Sequence, residues 1–158
     1  MSEVVINVRG IPAAKGSPHA RVHNGHVVMH EGKKTKSWER LVRESIALEI
    51  FDGSLPSVPL FVDKPLRVSI VFRLTRPGGH WGTGKRAGSL KPNAAVMPHK
   101  KPDIDKLARA TLDPLIGSIF DDDSRIVELA TVKTYASPGD EGARVVIREW
   151  NSSSDLGA

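Results

Sequence analysis

The stretch "KKPDIDKLARATLDPLIGSIFDDDSRI", from Lys100 to Ile126, organises this sequence because it joins a helical pattern to two groups of acids. It contains six of the 18 acidic residues of a 158-residue chain whose formal net charge is +5. Acids that only keep a surface soluble are usually interspersed with bases, as they are elsewhere in this chain. Acids bunched within a basic protein therefore indicate a site.

A helix is predicted between the two groups of acids. Its apolar face recurs at helical spacing and consists of Ile104, Leu107, Ala108, Thr111, Leu112, Leu115 and Ile116. Pro114 removes one backbone hydrogen bond and disfavours the α conformation at the residue before it. The helix is therefore expected either to kink near Thr111 or to end there and restart for one turn, with Gly117 closing the segment.

The remaining patterns predict one small α+β domain. Strands are predicted at 4–10, 66–74, 124–135 and 143–150, a two-stranded hairpin around Asn24-Gly25, and a first helix over 36–51 capped by Thr35 or Ser37. This order predicts a domain over residues 1–150 with a mixed or antiparallel sheet packed with two main helices. The tail, residues 151–158, has too little apolar surface to pack and is expected to be disordered.

The composition narrows the classes of protein. With 39% hydrophobic and 26% charged residues the chain is an ordinary soluble domain. It has no cysteine, which excludes disulfides, thiolate zinc sites and a cysteine nucleophile. No signal-peptide pattern or long apolar run is found, so a cytoplasmic protein is expected. The absence of a Gly-rich loop between a strand and a helix disfavours an enzyme of phosphorylated metabolites.

A basic segment rich in Gly and Pro precedes the acidic stretch. Residues 77–102 contain no acid, and their cationic side chains are Lys85, Arg86, Lys91, Lys100 and Lys101. A loop of this length is usually functional or disordered, and beside DNA it is expected to act as a flexible arm that phosphate contacts order. Lys15 and Arg21, in the N-terminal loop, are further candidates for phosphate contacts. The alternative is a solvated linker in a merely basic protein.

The acids themselves predict a convergent site. Asp103 and Asp105 lie where an extended chain becomes a helix, so both carboxylates converge at the helix start, with Arg109 one turn beyond. Asp121, Asp122 and Asp123 come just before the next strand. The start of that strand is expected to lie beside the helix and to bring one of these acids toward the first pair.

Three converging carboxylates imply either a bound cation or strongly raised pKa values. Two like charges at about 4 Å repel by about 4 kcal/mol at an effective dielectric of about 20. Oxygen ligands suit Mg²⁺ or Mn²⁺, and a metal within a cationic surface suits the hydrolysis of a phosphodiester. Simpler interpretations stay open: Asp103 only caps the helix, Asp105 only pairs with Arg109, and residues 121–124 only form a polar turn.

Two motifs resemble a known family. "KPDIDKLARATLDPLIG" followed by "FDDDSRIVEL" is similar to the signature of the RusA family of Holliday-junction resolvases, and "GIPAAKGSPHAR" and "KTKSWE" extend the similarity over most of residues 4–149. The resemblance implies a homodimeric, Mg²⁺-dependent endonuclease of bacteria or their phages. It also implies a RusA-like endonuclease domain over residues 1–150.

The resemblance also implies roles for single residues. Asp103, Asp105 and Asp123 match the metal-binding aspartates of the family, and Asp122, the neighbour of the third, is a further candidate metal ligand. Arg109 stands where the family has a catalytic basic residue, usually lysine, and its role here is expected to be electrostatic because guanidinium does not give up a proton readily. Two departures stand out: Lys106 lies where asparagine is common, and Pro114 interrupts a helix that is normally continuous.

The expected function follows from the resemblance. The chain is expected to resolve four-way DNA junctions by paired nicks in recombination and repair, with branched DNA as partner and Mg²⁺, or Mn²⁺ in its place, as cofactor. A two-fold homodimer presents two identical sites for the two nicks. No membrane and no small-molecule cofactor are expected. The alternatives are a non-catalytic DNA- or junction-binding protein and a metal-dependent nuclease acting on flaps or other branched DNA.

Overall fold

A computed structural model describes residues 3–16, 19–23, 26–30, 32–56 and 59–151, with the backbone alone for 19–23 and 26–30. The predicted hairpin is confirmed: β2 (His19–His23) pairs antiparallel with β3 (His26–His30). Its turn, Asn24-Gly25, and the tail beyond Asn151 lie outside the described residues. In the described part of the chain, no helix is both long enough and apolar enough to span a membrane.

A four-stranded mixed sheet forms the centre of the domain, which confirms the predicted α+β class. Its strands are β1 (Glu3–Arg9), β4 (Leu66–Leu74), β5 (Ile126–Tyr135) and β6 (Gly142–Glu149), in the order β1-β6-β4-β5. β6 runs antiparallel to both β1 and β4, whereas β4 and β5 are parallel. β5 therefore lies at an edge of the sheet.

One face of the sheet carries the core. Every second residue of β4 is buried, from Leu66 to Leu74, and alternate residues of β1 and β6 add to the same layer. The two helices cover this face because their apolar sides pack on it. Fully buried members include Trp38, Phe72 and Leu107.

Helix α1 (Lys33–Phe51) begins three residues before the predicted start, and the predicted caps are wrong. Gly32 occupies the N-cap position, and no side chain caps the helix. Thr35 is buried and donates its hydroxyl proton to the carbonyl of Ala14 at 2.8 Å. This hydroxyl ties the N-terminal loop to α1, so a long-range contact replaces the local cap.

Helix α2 (Ile104–Leu112) is followed at once by a 3-10 turn, Asp113–Leu115, that contains Pro114. The helix thus ends and restarts for one turn, which is the second of the two predicted outcomes. Gly117 closes the segment at φ +82°, a left-handed conformation that favours glycine. The Nε1 of Trp38 donates to the Oγ1 of Thr111 at 3.0 Å and joins the two helices.

Candidate active site

The start of α2 presents a carboxylate that the helix does not use. Asp103 occupies the N-cap position with extended backbone, φ −69° and ψ 135°, but its side chain makes no capping hydrogen bond. Its Oδ2 instead lies 3.1 Å from the Nζ of Lys106, and both side chains are about half exposed. The interpretation of Asp103 as a cap alone is therefore wrong.

Asp105 and Arg109 lie further along the same helix, and both are exposed. Within the described part of the chain, no ion pair or hydrogen bond joins them. The interpretation of Asp105 as the ion-pair partner of Arg109 is therefore not borne out. Asp103, Asp105 and Arg109 form what we call the α2 site, with its charged groups open to solvent.

The three consecutive aspartates before β5 differ in what they contact. Asp121 accepts from Arg125 through both oxygens, at 2.9 to 3.3 Å, and this guanidinium lowers the pKa of Asp121. Asp122 accepts from the backbone N–H of Ser124 at 2.8 Å, and the side chain and backbone of Ser124 together lower the pKa of Asp122. Asp123 is exposed in the 3-10 turn that begins there. Asp121 thus serves the fold, Asp122 caps the turn, and Asp123 is the most accessible to a ligand.

A three-carboxylate cluster within one chain is not found. In the described residues, no three His, Asp or Glu side chains are close enough to hold one metal ion. The Nζ of Lys133, near the end of β5, donates to the carbonyls of Lys100 and Pro102, at 2.9 Å each, just before α2. Asp123, in contrast, precedes Ile126 at the start of β5. The two groups of acids therefore lie toward opposite ends of β5. The strand rises about 23 Å between Ile126 and Lys133.

This separation has a simple topological cause. A helix that connects two parallel strands must run back along the sheet, antiparallel to both of them. The start of α2 consequently lies near the ends of β4 and β5, and the start of β5 lies near the end of the helical segment. The expectation that β5 brings Asp123 to Asp103 and Asp105 within one chain is wrong for this reason.

Exposed lysines flank the α2 site. Lys100 and Lys101 directly precede Pro102, and both are exposed. A shallow cleft of about 370 Å³ is lined by Lys101, Asp103 and Lys106 together with residues 14–16. A second cleft of about 480 Å³, on the other side of the same segment, includes His80, His99 and Lys100. Lys101 and Lys106 thus border Asp103 in the first cleft, an arrangement that suits a polyanion.

Lys15, a candidate for contact with DNA phosphate, is surrounded by acids of the protein itself. Its ammonium is ion-paired with Asp113 and lies 3.7 Å from the Oε1 of Glu39, and only 23% of its side chain is exposed. Its backbone N–H donates to the carbonyl of Lys106 at 3.0 Å. We therefore assign Lys15 a structural role between the N-terminal loop, α1 and α2. Arg21 lies in β2, where only the backbone is described.

The basic segment 77–102 is folded on itself. Gly82 donates to Ser89 at 2.8 Å and Lys91 to His80 at 2.9 Å, both through their backbone N–H groups. The ammonium of Lys91 donates to the carbonyl of Gly79, whereas Lys85 and Arg86 are exposed in a 3-10 turn. Backbone hydrogen bonds therefore give the loop a defined conformation, whereas a flexible arm was expected.

Two side chains that sequence reasoning missed position this region. Lys133 lies on the helix-facing side of β5 and holds the segment before α2 through two carbonyls. Arg76 lies 4.2 Å from the centre of the Tyr135 ring and donates to the carbonyl of Ala95 at 2.9 Å. For Lys133, the available sequence signal was a lysine at an inward-facing position of a strand. For Arg76 the sequence gives no local signal, because Tyr135 and Ala95 are distant from it in sequence.

The residues present at the α2 site fit a hard divalent cation. Mg²⁺ binds through one or two carboxylates and completes its shell with water and substrate phosphate. Asp103 and Asp105 supply the two carboxylates, and Asp123 is the accessible third acid at a distance within the chain. A divalent ion held by such carboxylates beside cationic side chains would suit an enzyme that hydrolyses a phosphodiester.

Sequence comparisons specify this class further. The chain matches the family described as endodeoxyribonuclease RusA over residues 10–148. It belongs to the RusA family of endodeoxyribonucleases, hydrolases that act on junction DNA. The chain is also similar to a Bacillus subtilis (strain 168) protein described as "uncharacterized protein YqaN", at 26% identity over 152 residues, which cover 94% of this chain and 98% of the relative.

Proposed function

We propose that this RusA-family enzyme is an Mg²⁺-dependent endonuclease that resolves four-way DNA junctions by paired symmetric nicks, in a bacterial or phage-infected cell. The observation that carries the proposal is the α2 site, where the half-exposed Asp103 and the exposed Asp105 lie beside Lys100 and Lys101. Mn²⁺ is expected to replace Mg²⁺ because both prefer oxygen ligands.

Each group at the α2 site has a proposed role. Asp103 and Asp105 hold the divalent ion, which when bound supplies a Lewis acid for the phosphate and an activated water. Arg109, exposed one turn further along α2, stabilises negative charge on the phosphate. Contacts with the DNA backbone are proposed for the exposed cations of the preceding segment, Lys85, Arg86, Lys91, Lys100 and Lys101, and for Arg21.

Asp123 is proposed to act across a homodimer. Because the two groups of acids lie toward opposite ends of β5, Asp123 reaches an α2 site only on a second copy. β5 is an edge strand and exposes the apolar side chains of Val127, Leu129 and Val132, which favours pairing with another strand. Antiparallel pairing of β5 with itself about a two-fold axis would set the start of each strand opposite the end of the other.

The test is cleavage of synthetic DNA by the purified full-length protein. A four-way junction, a flap and a linear duplex are incubated with Mg²⁺ or with EDTA, using wild type, Asp105→Asn and the control Asp140→Asn, which changes an exposed acid away from the α2 site. We expect paired nicks in the junction with wild type and Asp140→Asn, and binding without cutting with Asp105→Asn.

Other outcomes decide between the alternatives. Salt-dependent junction binding that EDTA leaves unchanged, with no cleavage in any metal, identifies a binding protein. Faster cutting of the flap than of the junction identifies a nuclease for other branched DNA. Undiminished cutting by Asp105→Asn refutes the assignment of the α2 site.

A further inference from the structure

The ammonium group of Lys106 pairs with a carboxylate of the α2 site. The Nζ of Lys106 lies 3.1 Å from the Oδ2 of Asp103, and the two side chains are 43% and 44% exposed. The chain therefore holds a positive charge directly against a proposed metal ligand.

A metal ion and an ammonium group compete for the same carboxylate oxygen, so each binds it more weakly when the other is present. The divalent ion needs the lone pairs of Asp103, and its charge repels the ammonium group. We propose that Lys106 is a resident counter-ion of Asp103 that a divalent ion must displace before it binds. This inference rests on the proposed function, because it takes Asp103 to be a metal ligand.

The surroundings of Lys106 allow this exchange. Its carbonyl accepts from the backbone N–H of Lys15, which fixes the main chain. Its side chain borders the open cleft that Lys101 and Asp103 also line, so the ammonium group has room to move aside. In the absence of metal, the ammonium group balances the charge of Asp103. Lys106 is thus a positioning residue that sets how tightly the metal binds.

The experiment measures Mn²⁺ binding to the full-length protein by the electron paramagnetic resonance signal of free Mn²⁺. Wild type is compared with Lys106→Asn, Lys106→Arg and Lys64→Asn. Lys64→Asn is a matched control because Lys64 and Glu149 also pair at 3.1 Å, with 52% and 38% exposure, outside the α2 site. Both lysine-to-asparagine variants lose one charge and one ion pair.

We expect Lys106→Asn to bind Mn²⁺ about two- to fivefold more tightly than wild type, the factor that an exposed ion pair contributes to an equilibrium. Lys106→Arg and Lys64→Asn should bind as wild type does. A merely structural lysine predicts lower thermal stability with unchanged Mn²⁺ affinity, and that result overturns the inference. If Asp105→Asn binds Mn²⁺ as wild type does, the ion is bound elsewhere and the proposed function itself fails.

Discussion

At the scale of single residues, the same side chain takes different roles according to what surrounds it. Asp121 and Asp123 are two residues apart, yet Asp121 is held by Arg125 and Asp123 is exposed. A carboxylate engaged in an ion pair of the fold is less available to a ligand. Local sequence does not distinguish the three aspartates, because the distinction depends on which of them Arg125 reaches.

The first prediction separates these two aspartates. Asp123→Asn should reduce junction cleavage by at least about 100-fold, since a metal ligand matters no less than the groups that orient it, and should leave the midpoint of thermal unfolding unchanged. Asp121→Asn should lower that midpoint and retain most of the cleavage. Gel-based cleavage assays and calorimetry measure the two effects, and the opposite pattern would exchange the roles of the two residues.

The second prediction concerns acid stability. Arg125 lowers the pKa of Asp121 below its ordinary value of 3.8, so the folded state holds this proton less tightly than the unfolded state does. The pair therefore stabilises the fold above about pH 4, and this contribution is lost as the pH falls through the lower folded-state pKa. Urea unfolding should show wild type more stable than Asp121→Asn at pH 7, with the gap narrowing toward pH 3. A gap independent of pH would contradict this origin.

The third prediction concerns Arg109. If this guanidinium stabilises charge on the phosphate, Arg109→Ala should cut junctions about 100-fold more slowly, and Arg109→Lys should retain much of the rate because the charge is kept. Single-turnover cleavage at saturating enzyme measures the step itself. Arg40→Ala is a control that removes an exposed arginine of α1. Equal rates for wild type and Arg109→Ala would leave Arg109 without a catalytic role.

At the scale of elements, the position of α2 depends on its contact with α1. The indole of Trp38 and the hydroxyl of Thr111 are fully buried, and the hydroxyl also donates to the carbonyl of Leu107 at 2.9 Å. From the sequence, Thr111 is predicted to be one more member of the apolar face of α2. In the fold it is the polar link between the two helices that carry the site and its scaffold.

The fourth prediction tests this link. Thr111→Val keeps the shape of the side chain but leaves the buried indole N–H of Trp38 without an acceptor, which should cost about 1–3 kcal/mol in the free energy of unfolding. Urea denaturation followed by tryptophan fluorescence measures the loss. Thr131→Val, on the less buried β5, is the control and should change stability by less than about 0.5 kcal/mol. Equal effects of the two changes would refute the role of the hydrogen bond.

At the scale of the whole molecule, the distance between the two groups of acids decides how a site with three carboxylates forms. β5 separates them within one chain, so the enzyme is expected to complete each site with Asp123 of a second copy. Two sites related by one two-fold axis also suit two symmetric nicks. On this proposal, catalysis requires the dimer.

The fifth prediction tests this arrangement by complementation. Protomers carrying Asp105→Asn and Asp123→Asn, with different affinity tags, are co-expressed and the mixed dimer is purified. If Asp123 acts across the dimer, one of its two sites contains no substitution, so the mixed dimer should nick one strand although both parent homodimers are inactive. A mixed dimer that binds junctions but cuts neither strand would show that all three aspartates act within one chain.

Much of this protein follows from the sequence by itself. The α+β class, the strand over residues 66–74, the interruption of α2 at Pro114 and the two acidic motifs depend on neighbouring residues, whose conformational preferences act over a few positions. Only the tertiary structure decided the start of α1, the ion pairs of Lys15 and the separation of Asp123 from the α2 site. These depend on contacts between distant segments and on the reversal of direction in the β4-α2-β5 crossover, which local patterns do not encode.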